Sequence, residues 1–491
     1  MKYKGLAAAA CAGLLLLSLF RLPTGFSGDA PRYHQHRERP ADGPCAGHDG
    51  GAALCSHLPL VLIETGGAAI PGVPIDDGDG DRSDDRFTTT ADGKALLRAR
   101  LSVVDRQTGN NHPGDAPTLE SVIDIRVRGN SSRYFDKKGY LIKTLRDDGE
   151  DARRVAMLGM DAFDEWALHG PYLDKSLIRN YMWYNLVGEI MDYAPNVRFC
   201  EVLLNGEYQG LYVMTETVGS SKNARLRLTE PDRGATETSY ALRLDRGSSN
   251  PVKNIESFSQ YALRNLQELD IVYPGTKRLT PERAEWIAQD FSDFEKTLYS
   301  YDYDTQPYAW WEKADRGSFA DYFILNEFTC NYDAGWLSTY IYRDVRGKYR
   351  MCIWDFNSAC DNYSQPVTEP QHFELQHSVW YYMLCKDEDF IETVIDRYRE
   401  LRQGILSDEA LCEYMDAVVE WLGPAVERNF SVWGYTLDKS MLSPEERNPR
   451  SHGEALEQMK RFCRERGQWM DENIEILRQY SHISKNKKFN H

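Results

Sequence analysis

Asp333 and Asp355 bracket a segment whose pattern permits essentially one local fold. Thr339–Arg343 and Tyr349–Trp354 alternate or run apolar, and Asp344 to Gly347 supplies a turn between them, which together predict a β-hairpin. A hairpin brings its two ends back to the same place, so the two carboxylates should converge. One acid that accepts a hydroxyl proton, beside another that holds a divalent metal, is the minimal equipment of a phosphoryl-transfer site. A lone Asp before a loop more often caps a turn. The chemistry therefore has to be argued from the rest of the chain.

Residues 1–26 have the form of an export signal or signal-anchor. Lys2 and Lys4 precede an apolar run from Gly5 to Phe20. That run is shorter than the roughly 20 residues a spanning helix needs, which favours cleavage. Membrane contact is then expected only through this segment, if it stays uncleaved. Exported protein tolerates disulfides, and ten cysteines are present. Cys45 and Cys55 make the easiest pair, and a bridge among Cys330, Cys352 and Cys360 would brace the two acids. No CxxC pair or zinc spacing occurs. The formal charge of −17 argues against nucleic acid as a partner.

Residues 27–57 read as a polar, flexible linker, and the fold is expected to begin at Leu58. Asp76 to Asp85 is an acidic loop. It lacks the glycine and the bidentate Glu of a calcium loop, since Arg82 and Thr88 stand there. From about 58 to 250 the chain is β-rich, with strands expected at 99–105, 122–128, 140–145, 197–204, 211–217 and 240–244. One strong helix is expected at Lys175–Met191, capped by Asp174. From Thr280 onward helices dominate, at 281–301, 318–328, 389–401, 408–422 and 453–479. A β-rich front half, a helical back half and metal-type acids at the junction give the layout of a two-lobed kinase.

Three further stretches bear on chemistry. Arg126 to Lys143 is strand, polar loop, strand, with Gly129, Asn130, Ser131 and Ser132 at a tip suited to covering phosphates. Arg133, Lys137, Lys138 and Lys143 add positive charge. Lys143 lies mid-strand, where it must reach a partner anion or solvent. Val202 to Glu216 is a hairpin turning on Asn205-Gly206, and Met214 to Glu216 at its end is a candidate adenine-reading link. Arg179 and Asn180, in the main helix, either pack or bridge two parts of the fold.

Together these segments resemble the CotH family of spore-coat and secreted protein kinases. The resemblance is carried by Arg128-Gly-Asn-Ser-Ser132 with Lys137 to Lys143, Asp174 to Asn180, Leu204 to Tyr212, Asn331-Tyr-Asp333 and Trp354-Asp-Phe-Asn357, with a weaker match at Tyr240 to Asp245. It implies an α+β class with a bilobal atypical protein-kinase-like fold over 58–485. Its β-rich N-terminal lobe would run to about 250 and its mainly helical C-terminal lobe from about 251. The implied activity is transfer of the ATP γ-phosphoryl group to Ser or Thr of exported or surface proteins, with Mg²⁺ or Mn²⁺. Asp333 then resembles the acid that orients the attacking hydroxyl, and Asp355 the metal-binding acid. Lys143, or alternatively Lys138, resembles the phosphate lysine. Ser131 and Ser132 resemble the phosphate-covering loop, and Arg128 and Glu216 are expected to line the nucleotide.

Two departures stand out. Many relatives carry Asp where Asn357 stands, and Ser338 replaces the metal-binding Asn of ordinary kinases. Both replacements weaken the case for a second ion. They motivate an alternative, a catalytically degenerate CotH-like surface binding or adhesion protein. A hydrolase finds no Gly-x-Ser-x-Gly elbow and no His-Glu-x-x-His helix.

Overall fold

Alternation in the first half produces strands that close on themselves. The computed structural model describes residues 32–41, 54–75, 86–106, 108–222, 224–263, 267–364 and 371–484. The expected signal, the acidic loop and Cys45 lie outside them. Strands β1 (Leu60–Glu64), β2 (Leu97–Val104), β3 (Leu119–Arg128), β4 (Gly139–Leu145), β5 (Glu165–His169), β6 (Val197–Leu204) and β7 (Glu207–Glu216) form a closed barrel in the order β1-β2-β3-β4-β5-β7-β6. Every second residue points inward: Ile123, Ile125 and Val127 of β3 meet Trp166, Leu168, Val202 and Met214 in one core. The parallel pairing of β1 with β6 closes the ring, so no barrel strand offers a free edge.

A second sheet follows, built from β8 (Tyr240–Asp245), β9 (Asn254–Ile255), β10 (Glu268–Tyr273), β11 (Thr339–Arg343) and β12 (Arg350–Cys352) in the order β12-β11-β8-β10-β9. The β11–β12 hairpin is present, with Ile341 opposite Met351 and the turn closed by the Gly347 N–H on the Asp344 carbonyl at 2.8 Å.

This sheet overturns the expected bilobal kinase-like arrangement. Its central strand, β8, comes from the front half of the chain and pairs on one side with β11 from the back half. The architecture is a closed seven-stranded barrel plus a second sheet with helices, not a β-rich lobe over a helical lobe. The helices include the short α1 (Gln35–Glu38) and the longer α2 (Arg179–Ile190), α3 (Pro281–Leu298), α4 (Arg316–Thr329), α5 (Glu388–Arg402), α6 (Asp408–Leu422), α7 (Pro424–Trp433) and α8 (His452–Asn473). Residues of α2 share one core with the second sheet and the later helices.

Helix α2 starts later than its periodicity suggests, because Leu177 takes a left-handed φ of +66°. The Asp174 carboxylate accepts the Ser176 and Arg179 N–H groups at 3.1 and 3.0 Å, so it caps through an intervening turn.

The polar segment expected as a linker is docked over its described residues 32–41. The Arg32 guanidinium donates to Asn185 Oδ1 at 3.0 Å and to the Ala194 and Pro195 carbonyls at 2.9 and 2.6 Å. The Gln35 amide both accepts from and donates to the Phe199 backbone, at 2.8 and 3.1 Å. These side chains satisfy buried backbone groups that water would otherwise serve. Cys55 is disulfide-bonded. Cys352 and Cys360 carry free thiols, so no disulfide joins the trio with Cys330.

Lys137, read from sequence as a charge near the phosphate loop, is instead buried. Its Nζ donates to the Leu211 carbonyl and Asn429 Oδ1, both at 2.7 Å, tying the segment before β4 to β7 and α7. Burial, and then the Lys175 charge, push the amine well below the ordinary lysine range against the opposing pull of Asp174. A base with a depressed pKa binds fewer protons folded than unfolded, so this site makes stability rise as pH climbs toward the ordinary lysine value. Lys137→Met should flatten the stability profile between about pH 7 and 9 relative to the native chain, as read by urea melts. An unchanged slope contradicts the assignment.

Candidate functional site

The site is assembled where the β11–β12 hairpin ends. Helix α4 stops at Cys330 in a left-handed conformation, and the Asp333 carbonyl accepts the Trp336 and Leu337 N–H groups at 3.1 and 2.7 Å, a tight turn into β11. On the other side β12 runs into Asp355, whose φ of +62° is unusual for a non-glycine residue. Helix α2 holds that strained stretch. Asn180 and Tyr184 sit one turn apart on one face. The Phe356 N–H donates to Asn180 Oδ1 at 2.8 Å and the Asp355 N–H to the Tyr184 hydroxyl at 3.0 Å. Arg179 donates to the Ala359 and Cys360 carbonyls at 2.9 and 3.1 Å and pairs with Asp174. The open choice between packing and bridging for Arg179 and Asn180 is thus resolved as bridging.

The two acids feel each other. Burial, then the charges of Asp355 and Asp245, push the Asp333 carboxyl up to about 7, with Arg246 pulling the other way. Burial also raises Asp355. Arg128 and the Asn357 N–H oppose that rise and Asp245 adds to it. Among the described residues no hydrogen bond or ion pair engages the Asp333 carboxylate. A small pocket beside Asp355 is lined by Arg128, His169, Asn180, Tyr184 and Trp354, with Thr215 from β7. Arg128 lies over the Trp354 ring at 5.6 Å. Burial and the Arg128 charge push the His169 imidazole down to about 3, so it stays neutral at ordinary pH.

The remaining expected residues are distributed around this centre. Lys143 is ion-paired with its cross-strand neighbour Glu165 at 2.9 Å on the outer barrel face. The Lys138 Nζ is tied to the Arg133 carbonyl at 2.7 Å. Ser131 and Ser132 lie in a short 3₁₀ turn, Ser131–Tyr134, that follows Gly129. Gly129 has φ +111°, and a Cβ there would sit 1.8 Å from Ser132 Oγ, so the turn requires glycine. Neither Glu216 nor Asp333 is among the residues that line the pocket beside Asp355. Glu216 is buried at the end of β7, where its carboxyl accepts the Asn196 N–H at 3.1 Å and burial pushes it up to about 7.

The donor set suits a hard cation such as Mg²⁺ or Mn²⁺ in one respect that the structure makes concrete. Asn357 Oδ1 is buried with no hydrogen-bond partner, an expensive state for an amide oxygen that a cation would relieve. Among the described residues no three His, Cys, Asp or Glu side chains converge as a metal-binding group. The available set is therefore Asp355, Asp333 and the Asn357 amide.

Sequence reasoning gave no role to Asp245, Tyr184, Glu165 or His169. Asp245 ends a motif already noted, and its position at a strand end was the available signal. Tyr184 carried only a helical apolar rhythm, and the short β5 strand bearing Glu165 and His169 carried no clear alternation.

A closed barrel joined to an antiparallel sheet, with two buried, pKa-raised acids at the base of a hairpin, defines the class of site. The CotH kinase protein model matches residues 125–470, and the chain belongs to that family. It is 25% identical over 244 residues to inner spore coat protein H of Bacillus subtilis strain 168, an alignment covering 48% of this chain and 58% of that protein. Among the described residues no helix is long and apolar enough to cross a membrane.

Proposed function

We propose that this protein is an exported or spore-surface phosphotransferase that moves the ATP γ-phosphoryl group to Ser or Thr of exported proteins. The observation that carries the reading is Asp333, a half-buried acid pushed to about 7 beside Asp355. An acid with that pKa accepts a hydroxyl proton near neutral pH more effectively than an ordinary carboxylate. Asp333 orients the acceptor hydroxyl. Asp355 and the Asn357 amide hold Mg²⁺ or Mn²⁺, which when bound neutralises charge on the phosphates. Arg128 faces the same phosphates from β3, and the Ser131–Ser132 turn covers them. Lys143 is kept in place by Glu165. The name of the Bacillus relative supports a spore-surface setting.

Purified protein given γ-labelled ATP and Mn²⁺ should label a Ser/Thr-rich acceptor or itself, and Asp355→Ala should not. Equal inertness of both across metals and acceptors removes the kinase reading. The rate should climb as pH rises through about 7 and Asp333 ionises, and then level off. A profile flat from pH 5 to 8 contradicts Asp333 as the base. Asn357 and Ser338 favour a second reading, a non-catalytic surface binding protein on the same scaffold. It predicts no metal-dependent nucleotide binding in a thermal-shift titration.

A further inference from the structure

We infer that Asp245 is a third acid of this site and supplies the negative charge that Asn357 and Ser338 do not. The inference rests on the phosphotransfer reading and extends it to a residue outside the two catalytic motifs. Strand β8 pairs antiparallel with β11, Leu244 against Thr339 and Arg243 against Tyr340. Asp245 follows the last pair of that ladder and Ser338 precedes it, at the end beside the turn that carries Asp333. The two-residue period puts Asp245 on the same face of β8 as Arg243, opposite the buried Leu242 and Leu244.

On that face Arg243 is engaged by Asp270 at 2.9 Å. The ion pair of Asp245 is with its own neighbour Arg246 at 3.2 Å, and the Arg246 side chain is 57% exposed, so water screens that countercharge. Asp245 itself is only 18% exposed. It follows directly on the Leu244–Thr339 pair, and the Thr339 hydroxyl accepts the Gly335 N–H at 2.8 Å, which holds the Asp333 turn against that strand end. The second observation is the buried Asn357 Oδ1 that lacks a partner. It offers an oxygen to a cation but no charge, and Asp245 carries charge without converging into a three-acid ligand group. Asp245 therefore acts through the field of the site, as a positioning residue for the cation.

The test is Mn²⁺ binding to the full chain, followed by electron paramagnetic resonance without nucleotide or acceptor. Asp245→Asn, which keeps the shape and removes the charge, should weaken Mn²⁺ binding about tenfold. Asp245→Glu should stay within about threefold of the native chain. Asn357→Asp placed in the D245N chain should restore most of the lost affinity, which a purely structural role for Asp245 would not allow. Native-like Mn²⁺ affinity in D245N, or no recovery on adding N357D, overturns the inference while leaving the phosphotransfer reading in place. If the native chain binds no Mn²⁺ at millimolar concentration, both fall together.

Discussion

Replacing Asp333 with Asn is expected to lower phosphotransfer by about three orders of magnitude, the loss typical of removing a group that acts in the transition state. The same change should make the protein more stable in alkaline solution. The carboxyl is raised to about 7 by burial and by Asp355 and Asp245, so the folded chain holds a proton that the unfolded chain releases near pH 4. Stability linked to that proton is fully present below about pH 4 and is lost as pH rises to about 7. An Asn at this position carries no charge to repel its neighbours. Thermal melts should therefore coincide for the two proteins near pH 4 and separate by a few degrees at pH 8, with D333N the higher. Loss of activity without that separation would make Asp333 an ordinary surface acid. Retained activity would remove it from the chemistry altogether. The pairing of lost function with gained stability is the signature of an acid held against its preference.

The second large effect concerns Arg179. It is essentially fully buried, pairs with the equally buried Asp174, and donates to the Ala359 and Cys360 carbonyls. Arg179→Ala leaves the Asp174 carboxylate without its counter-charge and two carbonyls without their side-chain donor. Breaking a buried pair from one side costs about 3–5 kcal/mol. Urea unfolding of R179A should show a loss of that order. The double variant Arg179→Met with Asp174→Asn should lose less than R179A alone, because no uncompensated charge remains. Because Arg179 anchors the stretch just after Asp355, R179A should also weaken Mn²⁺ binding under conditions where the chain is still folded. A loss below about 1 kcal/mol would mean that the loop is held by other contacts.

What the sequence disclosed and what it hid divide along physical lines. The β11–β12 hairpin was legible because its turn, alternation and pairing are all local. The approach of Asp333 and Asp355 followed from that geometry alone. Barrel closure was not legible. It depends on β1 lying parallel to β6, a pairing between distant segments that no periodicity encodes. The bilobal expectation failed for the same reason, since composition along the chain does not say that β8 inserts beside β11. Asp245 was hidden by that pairing, which alone sets the end of β8 beside the start of β11.

Polarity misled twice. Residues 32–39 looked solvated, yet Arg32 and Gln35 serve as internal hydrogen-bond donors. Lys137 looked like one more surface cation and is among the most deeply buried residues on β4's approach. In each case the side chain answers a buried carbonyl, a demand that exists only after the backbone has folded.

The central claim is that Asp333 and Asp355 act as one unit, and a double-mutant cycle on phosphoryl transfer tests it most directly. With γ-labelled ATP and Mn²⁺, single-turnover rates would be compared for the native chain, D333N, D355N and D333N/D355N. Groups that work as a unit are strongly non-additive, so the double variant should be no slower than the worse single variant. Rate losses that multiply in the double variant would show two independent residues and contradict the account.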